Sequence, residues 1–277
     1  MKKTIAFLLA LVMSLSLLTA CGSKDDNKDG GKASSSESDL DYVKSAGKLV
    51  IGITEYKPMN YYEGDELVGF DTEFANAVCE KLGVKADFQV IDWETKESLL
   101  KAKNIDCIWN GLTVTEERKE NMDFSKVYLL NKQVVVINKK DADKFTDTAS
   151  LSSALLSAEA ESAGESAIQA DENLSKGSYT ASDKQMSALT SLVAGNYDAV
   201  VLDYTLAMAN CGKGDYKDLM IVDSINLTNE EYAIGFRKGS DLTAEVNSII
   251  EALIADNTLS DIAAKYELTD LYNEAVK

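Results

Sequence analysis

From Lys48 onward the chain alternates between short β-branched runs and stretches of helical periodicity, an order that few architectures tolerate. K-L-V-I-G-I-T at 48–54 is almost unbroken apolar sequence, the pattern of a strand covered on both faces. G-F-D-T-E-F-A-N-A-V-C-E-K-L-G at 69–83 reads as a helix. Asp71 stands at its N-cap, Phe74, Ala77, Val78 and Leu82 share one stripe, and Gly83 marks the stop. A strand at 86–91, a helix at 94–103 and a short strand at 106–109 complete a βαβαβ series, which calls for a parallel-leaning sheet covered by helices.

The pattern restarts after K-Q-V-V-V-I-N at 132–138. A weak strand at 154–159, helices near 163–172 and 182–195, strand D-A-V-V-L-D at 198–203, a helix at 203–211 and a strand at 219–222 follow. E-Y-A-I-G-F-R-K at 231–238 reads as a late return strand, before closing helices near 241–256 and 258–266. Two such units imply two lobes, the second inserted into the first, with crossings near 133–138 and 224–234. The expected boundaries are 42–134 plus 230–277 for lobe one and 135–229 for lobe two. In open α/β sheets the ligand crevice lies beyond the carboxyl ends of the strands, often between domains.

The first residues read as a leader rather than as part of the fold. Lys2 and Lys3 precede an apolar run from Ile5 to Leu18, short for a bilayer span but suited to a signal h-region over 1–20. The run ends in L-T-A-C-G, which looks like a bacterial lipobox in which Cys21 is acylated (palmitate among the acyl chains) and becomes the first mature residue. Residues 22–41, rich in Ser, Gly, Asp and Lys, read as a flexible tether. A globular body held near the outer face of a membrane is the expected arrangement. Cys79, Cys107 and Cys211 match no metal spacing, and an odd number cannot all pair internally; Cys79 and Cys107 read as packed thiols.

The 277-residue chain carries a formal charge of -18 and contains no histidine. The acidic balance argues against nucleic acid, which is held by accumulated Lys and Arg. Lack of histidine removes the commonest general base and the usual zinc ligand. No cofactor, metal or catalytic residue is expected.

Only two of the 28 basic residues are arginines, Arg118 and Arg237, and Arg118 closes the loop W-N-G-L-T-V-T-E-E-R at 109–118. Arginine offers a planar fork of donors that matches a carboxylate bidentately. Thr115 can cap a helix begun by Glu116, with Asn110, Thr113 and Arg118 converging on an anion; a capped helix with a solvent-facing Arg118 is the plainer alternative. Arg237, in F-R-K-G-S, reads as a surface residue. Asp71 and Glu73 read as helix-start residues and not as a catalytic pair.

Three stretches decide between these readings. G-F-D-T-E-F-A (69–75), I-D-C-I-W-N-G-L-T-V-T-E-E-R-K-E-N-M-D-F-S (105–125) and Y-D-A-V-V-L-D (197–203), in this order and spacing, resemble family 3 of the bacterial extracellular solute-binding proteins, the polar amino-acid receptors of ATP-driven importers. The resemblance runs from about residue 42 to the C-terminus. It implies a type II periplasmic-binding-protein fold, two α/β lobes hinged by two crossing strands and closing like a flytrap. It also implies an α-carboxylate clamp at Arg118, aided by Thr113, Ser162 and Ala163. The latter pair opens a helix whose free amides suit an anion. The α-ammonium falls to Asp203, assisted by the Gly111 carbonyl and Asn110. Tyr56 matches the aromatic that covers the ligand, and Trp93 a side-chain contact, although both also read as ordinary half-buried aromatics. Asp203 can also cap the helix 203–211. One departure stands out: Glu161 occupies a position where the family usually has glycine, and pointing inward it would oppose a carboxylate.

The expected function is reversible binding of an L-amino acid or close derivative by a monomeric, lipid-anchored receptor on the extracytoplasmic face of the cell membrane. Its partners would be an ABC permease and that permease's cytosolic ATPase. The alternatives are an amino-acid sensor for a signalling receptor and a dehydratase-like enzyme using a cleft carboxylate.

Overall fold

The computed structural model describes residues 38–277; the leader, Cys21 and most of the tether lie outside the described residues. In chain order come α1 (Asp39–Ala46), β1 (Lys48–Ile53), β2 (Tyr61–Glu63), β3 (Glu66–Val68), α2 (Phe70–Leu82) and β4 (Lys85–Val90). Next are α3 (Lys96–Lys101), β5 (Cys107–Ile108), α4 (Glu116–Asn121), β6 (Met122–Phe124) and the long β7 (Leu129–Asn138). Then follow β8 (Leu155–Glu159), α5 (Ala163–Ala170), β9 (Ser178–Ser182), α6 (Gln185–Val193), β10 (Ala199–Asp203), α7 (Tyr204–Asn210), β11 (Leu219–Ile221) and β12 (Thr228–Tyr232). The chain ends with β13 (Gly235–Arg237), α8 (Leu242–Ala255), α9 (Thr258–Lys265) and α10 (Thr269–Ala275).

Two larger sheets organise the molecule. The first has the order β4-β1-β5-β13-β6, with β1 parallel to β4 and β5 and β13 antiparallel to β5 and β6. The second has the order β11-β7-β10-β8-β9, with β12 also paired to β7. β7 serves two neighbourhoods: Gln133 to Ile137 run antiparallel to β10, while Leu129 to Gln133 run antiparallel to β12. Its apolar run reflects burial on both faces. Val134 and Val136 join one core, and Val135 and Ile137 the other.

The stretch 231–238, expected as one return strand, is two. β12 belongs to the second sheet and β13 to the first, and between them Ala233 N–H donates to the Leu112 carbonyl at 3.1 Å. Gly235 lets Leu112 and Met122 pack closely at the entry into the first sheet, since a Cβ there would lie 2.7 Å from Leu112 Cδ2 and 2.8 Å from Met122 Sδ and those side chains would have to shift.

Three further differences concern two helices and two buried side chains. α1 starts inside the stretch expected to be tether. It is docked by Arg237, which is buried rather than a surface residue: its Nε donates to Asp39 Oδ2 at 2.9 Å and its Nη2 to Asp106 Oδ1 at 3.2 Å. Asp71 does not cap α2. Gly69 holds that position, and the fully buried Asp71 carboxylate accepts the Gly111 N–H at 2.6 Å and the Tyr128 hydroxyl at 3.2 Å. α10, absent from the expected elements, packs on β7 and α9. Cys79 and Cys107 are buried free thiols and Cys211 is a partly exposed one.

Candidate functional site

A narrow, nearly filled cavity lies where the carboxyl ends of the two sheets face each other. Trp93, Asn110, Gly111, Thr113 and Arg118 line it from the first sheet's side, and Glu159, Ser162, Ala163, Gln185 and Asp203 from the second's. Eight of the nine residues expected at the site therefore share one small space.

Arg118 sits in the first turn of α4, whose N-cap Thr115 accepts the Arg118 N–H at 3.1 Å, so the local fold is the capped helix the sequence suggested. The side chain does not face solvent: it is 8 % exposed. Its Nη1 donates to the Thr113 carbonyl at 2.8 Å and its Nη2 reaches across to the Glu161 carbonyl at 3.1 Å. Among the described residues no carboxylate lies within 4.0 Å of it. Burial pulls its pKa below the usual arginine value, with nearby Glu97, Glu230 and Asp203 acting in the opposite direction. A buried guanidinium with donors to spare is the strongest anion-seeking group a protein can present.

Glu161 takes the left-handed backbone conformation, φ +56°, in which a family glycine would be relaxed. Its backbone is held by Glu165, whose carboxylate accepts the Glu161 N–H at 2.7 Å, while Ser162 Oγ accepts the Glu165 N–H at 3.1 Å. The Glu161 side chain is exposed, so the feared opposition to a carboxylate does not arise. What faces the cleft is its carbonyl, which also accepts from Lys96 Nζ at 3.3 Å. The first-turn amides of α5 at Ala163 and Gly164 have no intrahelical acceptor and supply further donors.

Asp203, at the end of β10, is 7 % exposed and does not cap α7 with its side chain. Oδ1 accepts from Asn131 Nδ2 at 2.7 Å and Gln133 Nε2 at 2.8 Å, and Oδ2 accepts from Gln185 Nε2. The same two amides, of Asn131 and Gln133, bridge at 3.0 Å to Glu230 Oε2, which also takes the Thr113 hydroxyl at 3.0 Å. Burial raises the pKa of both carboxyls, and for Glu230 the Asp203 charge adds to it.

Glu159 ends β8 beside them, 3 % exposed. Burial first, then Asp203, pushes its pKa from 4.5 up to about 8. Asp71 is likewise raised to about 7 by burial. Both carboxyls hold a proton in the folded chain that the unfolded chain releases. Folded protein therefore binds more protons between the ordinary carboxylate range and pH 8, and stability falls as pH rises through that window. The ligand-free protein should melt several degrees lower at pH 8 than at pH 5.5 in a calorimetric scan. A melting point that climbs over this interval contradicts the assignment. Lys96, lowered to about 8 by burial and then by Arg118, has the opposite sign but acts only above that value.

Some expected residues serve the fold more than the cavity. Tyr56 is outside the lining: its hydroxyl donates to the Tyr232 hydroxyl at 3.1 Å, and its ring lies under Gly111. A Cβ on Gly111, φ +57°, would stand 2.2 Å from that hydroxyl. The Asn110 amide oxygen accepts from Thr54 N–H at 2.9 Å and Asn60 Nδ2 at 2.8 Å, and its Nδ2 donates to Thr54 Oγ1, leaving one amide hydrogen uncommitted. Trp93 lines the cavity with one face taken by Lys96 Nζ, 4.8 Å from the ring centroid. Glu159, Gln185 and Glu230 were not anticipated from the sequence.

No cluster of metal-ligating side chains occurs among the described residues. No described helix is long and apolar enough to cross a membrane. The fold is a mixed α/β body of two sheets with a polar, charged cavity between their carboxyl ends. The sequence pattern of the bacterial extracellular solute-binding proteins, family 3, matches residues 49–269, and the chain belongs to that family. It is 28 % identical over 270 residues to the arginine-binding extracellular protein ArtP of Bacillus subtilis (strain 168), spanning 96 % of this chain and 98 % of that one. It is 27 % identical over 273 residues to the glutamine-binding protein GlnH of an ABC transporter in the same organism, spanning 96 % and 97 %. The crystal structure of AncCDT-1, an ancestral amino acid-binding protein and precursor of cyclohexadienyl dehydratase, superposes with a TM-score of 0.76 at 27 % identity, over 83 % of this chain and 99 % of that one.

Proposed function

We propose that this protein is an extracytoplasmic receptor that binds an L-amino acid between its lobes and presents it to an ABC importer. The observation that carries this is the pairing, across one cavity, of an unpaired buried guanidinium at Arg118 with a buried carboxyl at Asp203. A zwitterion supplies both missing charges at once, whereas either group left alone in a closed cleft costs several kcal/mol. In this reading Arg118, the Ser162 hydroxyl and the free first-turn amide at Ala163 take the α-carboxylate. Asp203 and the Gly111 carbonyl take the α-ammonium, and Trp93 borders the side chain.

The lobes, divided near 134 and 230, would close on the ligand because its contacts come from both sides, so it binds the closed arrangement better than the open one. Lipidation at Cys21 would keep the monomeric receptor beside its permease. Signalling-receptor docking remains an alternative use of the same closed form. Chemistry by a cleft carboxylate is the remaining alternative; Asp203 and Glu230 share one amide network, an arrangement suited to holding a charge more than to moving a proton.

A thermal-shift panel of the twenty amino acids tests the reading. A ligand at a hundred times its Kd should add about 2.7 kcal/mol of stability. No shift across the panel refutes amino-acid binding, turnover of a panel member refutes the receptor reading, and Cys21→Ala protein that stays in the membrane fraction refutes the anchor.

A further inference from the structure

We propose that Glu159, positioned with Gln185 at the end of β8, forms the side-chain subsite and selects an L-amino acid that carries a second positive charge, an ammonium or a guanidinium. The inference rests on the amino-acid reading above and adds the class of ligand. Once Arg118 and Asp203 are given to the zwitterion, Glu159 is the one ionisable group lining the cavity that has no assigned partner. Among the described residues no lysine or arginine nitrogen lies within 4.0 Å of its carboxylate. An unpaired buried carboxylate is costly, and the carboxyl avoids that cost by keeping its proton while the cavity is empty, in line with its pKa of about 8.

The surroundings narrow the choice of ligand. The charged groups around Glu159 are Asp203, Lys96 and Lys184, and neither lysine pairs with it directly. Lys96 is committed to the carbonyls of Trp93 and Glu161, at 3.2 and 3.3 Å, and to the face of the Trp93 ring. Trp93 therefore already has a cation on it, and a ligand cation finds its partner at Glu159 instead. Trp93 and Ala163 are the only apolar side chains in the lining, too few to reward an aliphatic ligand. Around the cleft, Arg118 and Lys96 oppose Glu159, Asp203 and Glu230, so a ligand of net charge +1 balances the fully ionised set. A glutamate-like side chain would meet Glu159 head on. Sequence kinship alone does not make this choice, since the arginine- and glutamine-binding relatives are almost equally similar, while the neighbouring structures include several arginine-bound forms and a glutamine-bound one.

Titration calorimetry of the full chain with L-arginine, L-ornithine, L-citrulline, L-glutamine and L-glutamate decides the matter. Citrulline is the key probe, because it replaces the guanidinium with an uncharged group of nearly the same shape. Wild-type protein should bind arginine or ornithine at least about thirtyfold more tightly than citrulline or glutamine. Glu159→Gln should erase that gap by weakening the cationic ligands while changing citrulline by less than about threefold. At pH 7 the wild-type protein should release close to one proton on binding the cation, read from the dependence of heat on buffer ionisation, and Glu159→Gln should release none. Neutral ligands binding as tightly as cationic ones to wild-type protein overturn the proposal without any variant. An arginine affinity unaltered in folded Glu159→Gln protein does so too. Silence from every amino acid would instead remove the receptor reading on which it stands.

Discussion

Replacing Arg118 with methionine should lower amino-acid affinity by about a thousandfold, the scale for removing one partner of a buried charge pair, while the ligand-free protein keeps its stability or gains some. The two halves of that expectation have one origin. In the empty cleft the guanidinium is desolvated and opposite no carboxylate, so its charge costs more than it returns. Its two observed bonds, to the carbonyls of Thr113 and Glu161, partly offset that cost, and Lys96 still reaches the second carbonyl when Arg118 is gone. Only the ligand's carboxylate turns the charge into a gain. Arg118→Lys keeps a cation but loses the planar fork and should fall between the two. Calorimetric affinities alongside melting temperatures of the empty proteins are the measurement. An Arg118→Met protein that binds within threefold of wild type would remove the residue from the site.

Asp203→Asn should cost about a hundredfold in affinity, because the α-ammonium would then face a neutral amide. Stability should move little, since two effects cancel. Removing one carboxyl from beside Glu230 and Glu159 relieves repulsion. Against this, Asp203 accepts from Asn131, Gln133 and Gln185, three amide donors, and an asparagine turns one acceptor oxygen into a fourth donor. The decisive control is a ligand analogue lacking the α-amino group. Its affinity should already be low for the wild-type protein and should change little on Asp203→Asn. Equal losses for analogue and parent ligand would show that the substitution distorts the cleft and that Asp203 holds no ammonium.

The sequence was legible wherever a physical requirement left a residue-level trace. Thr115 as a helix cap, the β-branched runs of β1 and β7, and the carboxyl-end placement of Asp203 are of this kind. What escaped depended on facing, which composition does not record. Glu230 and Glu231 are adjacent, one buried at the cleft and one exposed, and nothing in N-E-E-Y says which. Glu159 passed as the polar end of a weak strand. Its signal was available in principle, since an acidic residue that closes an apolar strand three positions before a helix N-cap stands at a crevice edge. Asn131 and Gln133 alternate on one face of β7, a period-two pair of amides that marks a polar seam inside an apolar strand. The split of 231–238 between two sheets could not be read at all, because the side chains packed against Gly235, Leu112 and Met122, are distant in sequence.

The helix that ends the chain alters the mechanics of such a molecule. α10 leaves α9 through Glu267, at φ +60°, and lies along β7 with Tyr272 inserted in the shared core. The C-terminal segment is thus a strap laid over β7, the strand shared by two neighbourhoods of the second sheet. In the proposed closure, a swing that shifts β7 against α9 would bend the strap at Tyr266–Leu268 or drag α10 over the strand beneath. If the lobes open as proposed, the amplitude would be governed from the tail of the chain, remote from the residues that line the cavity.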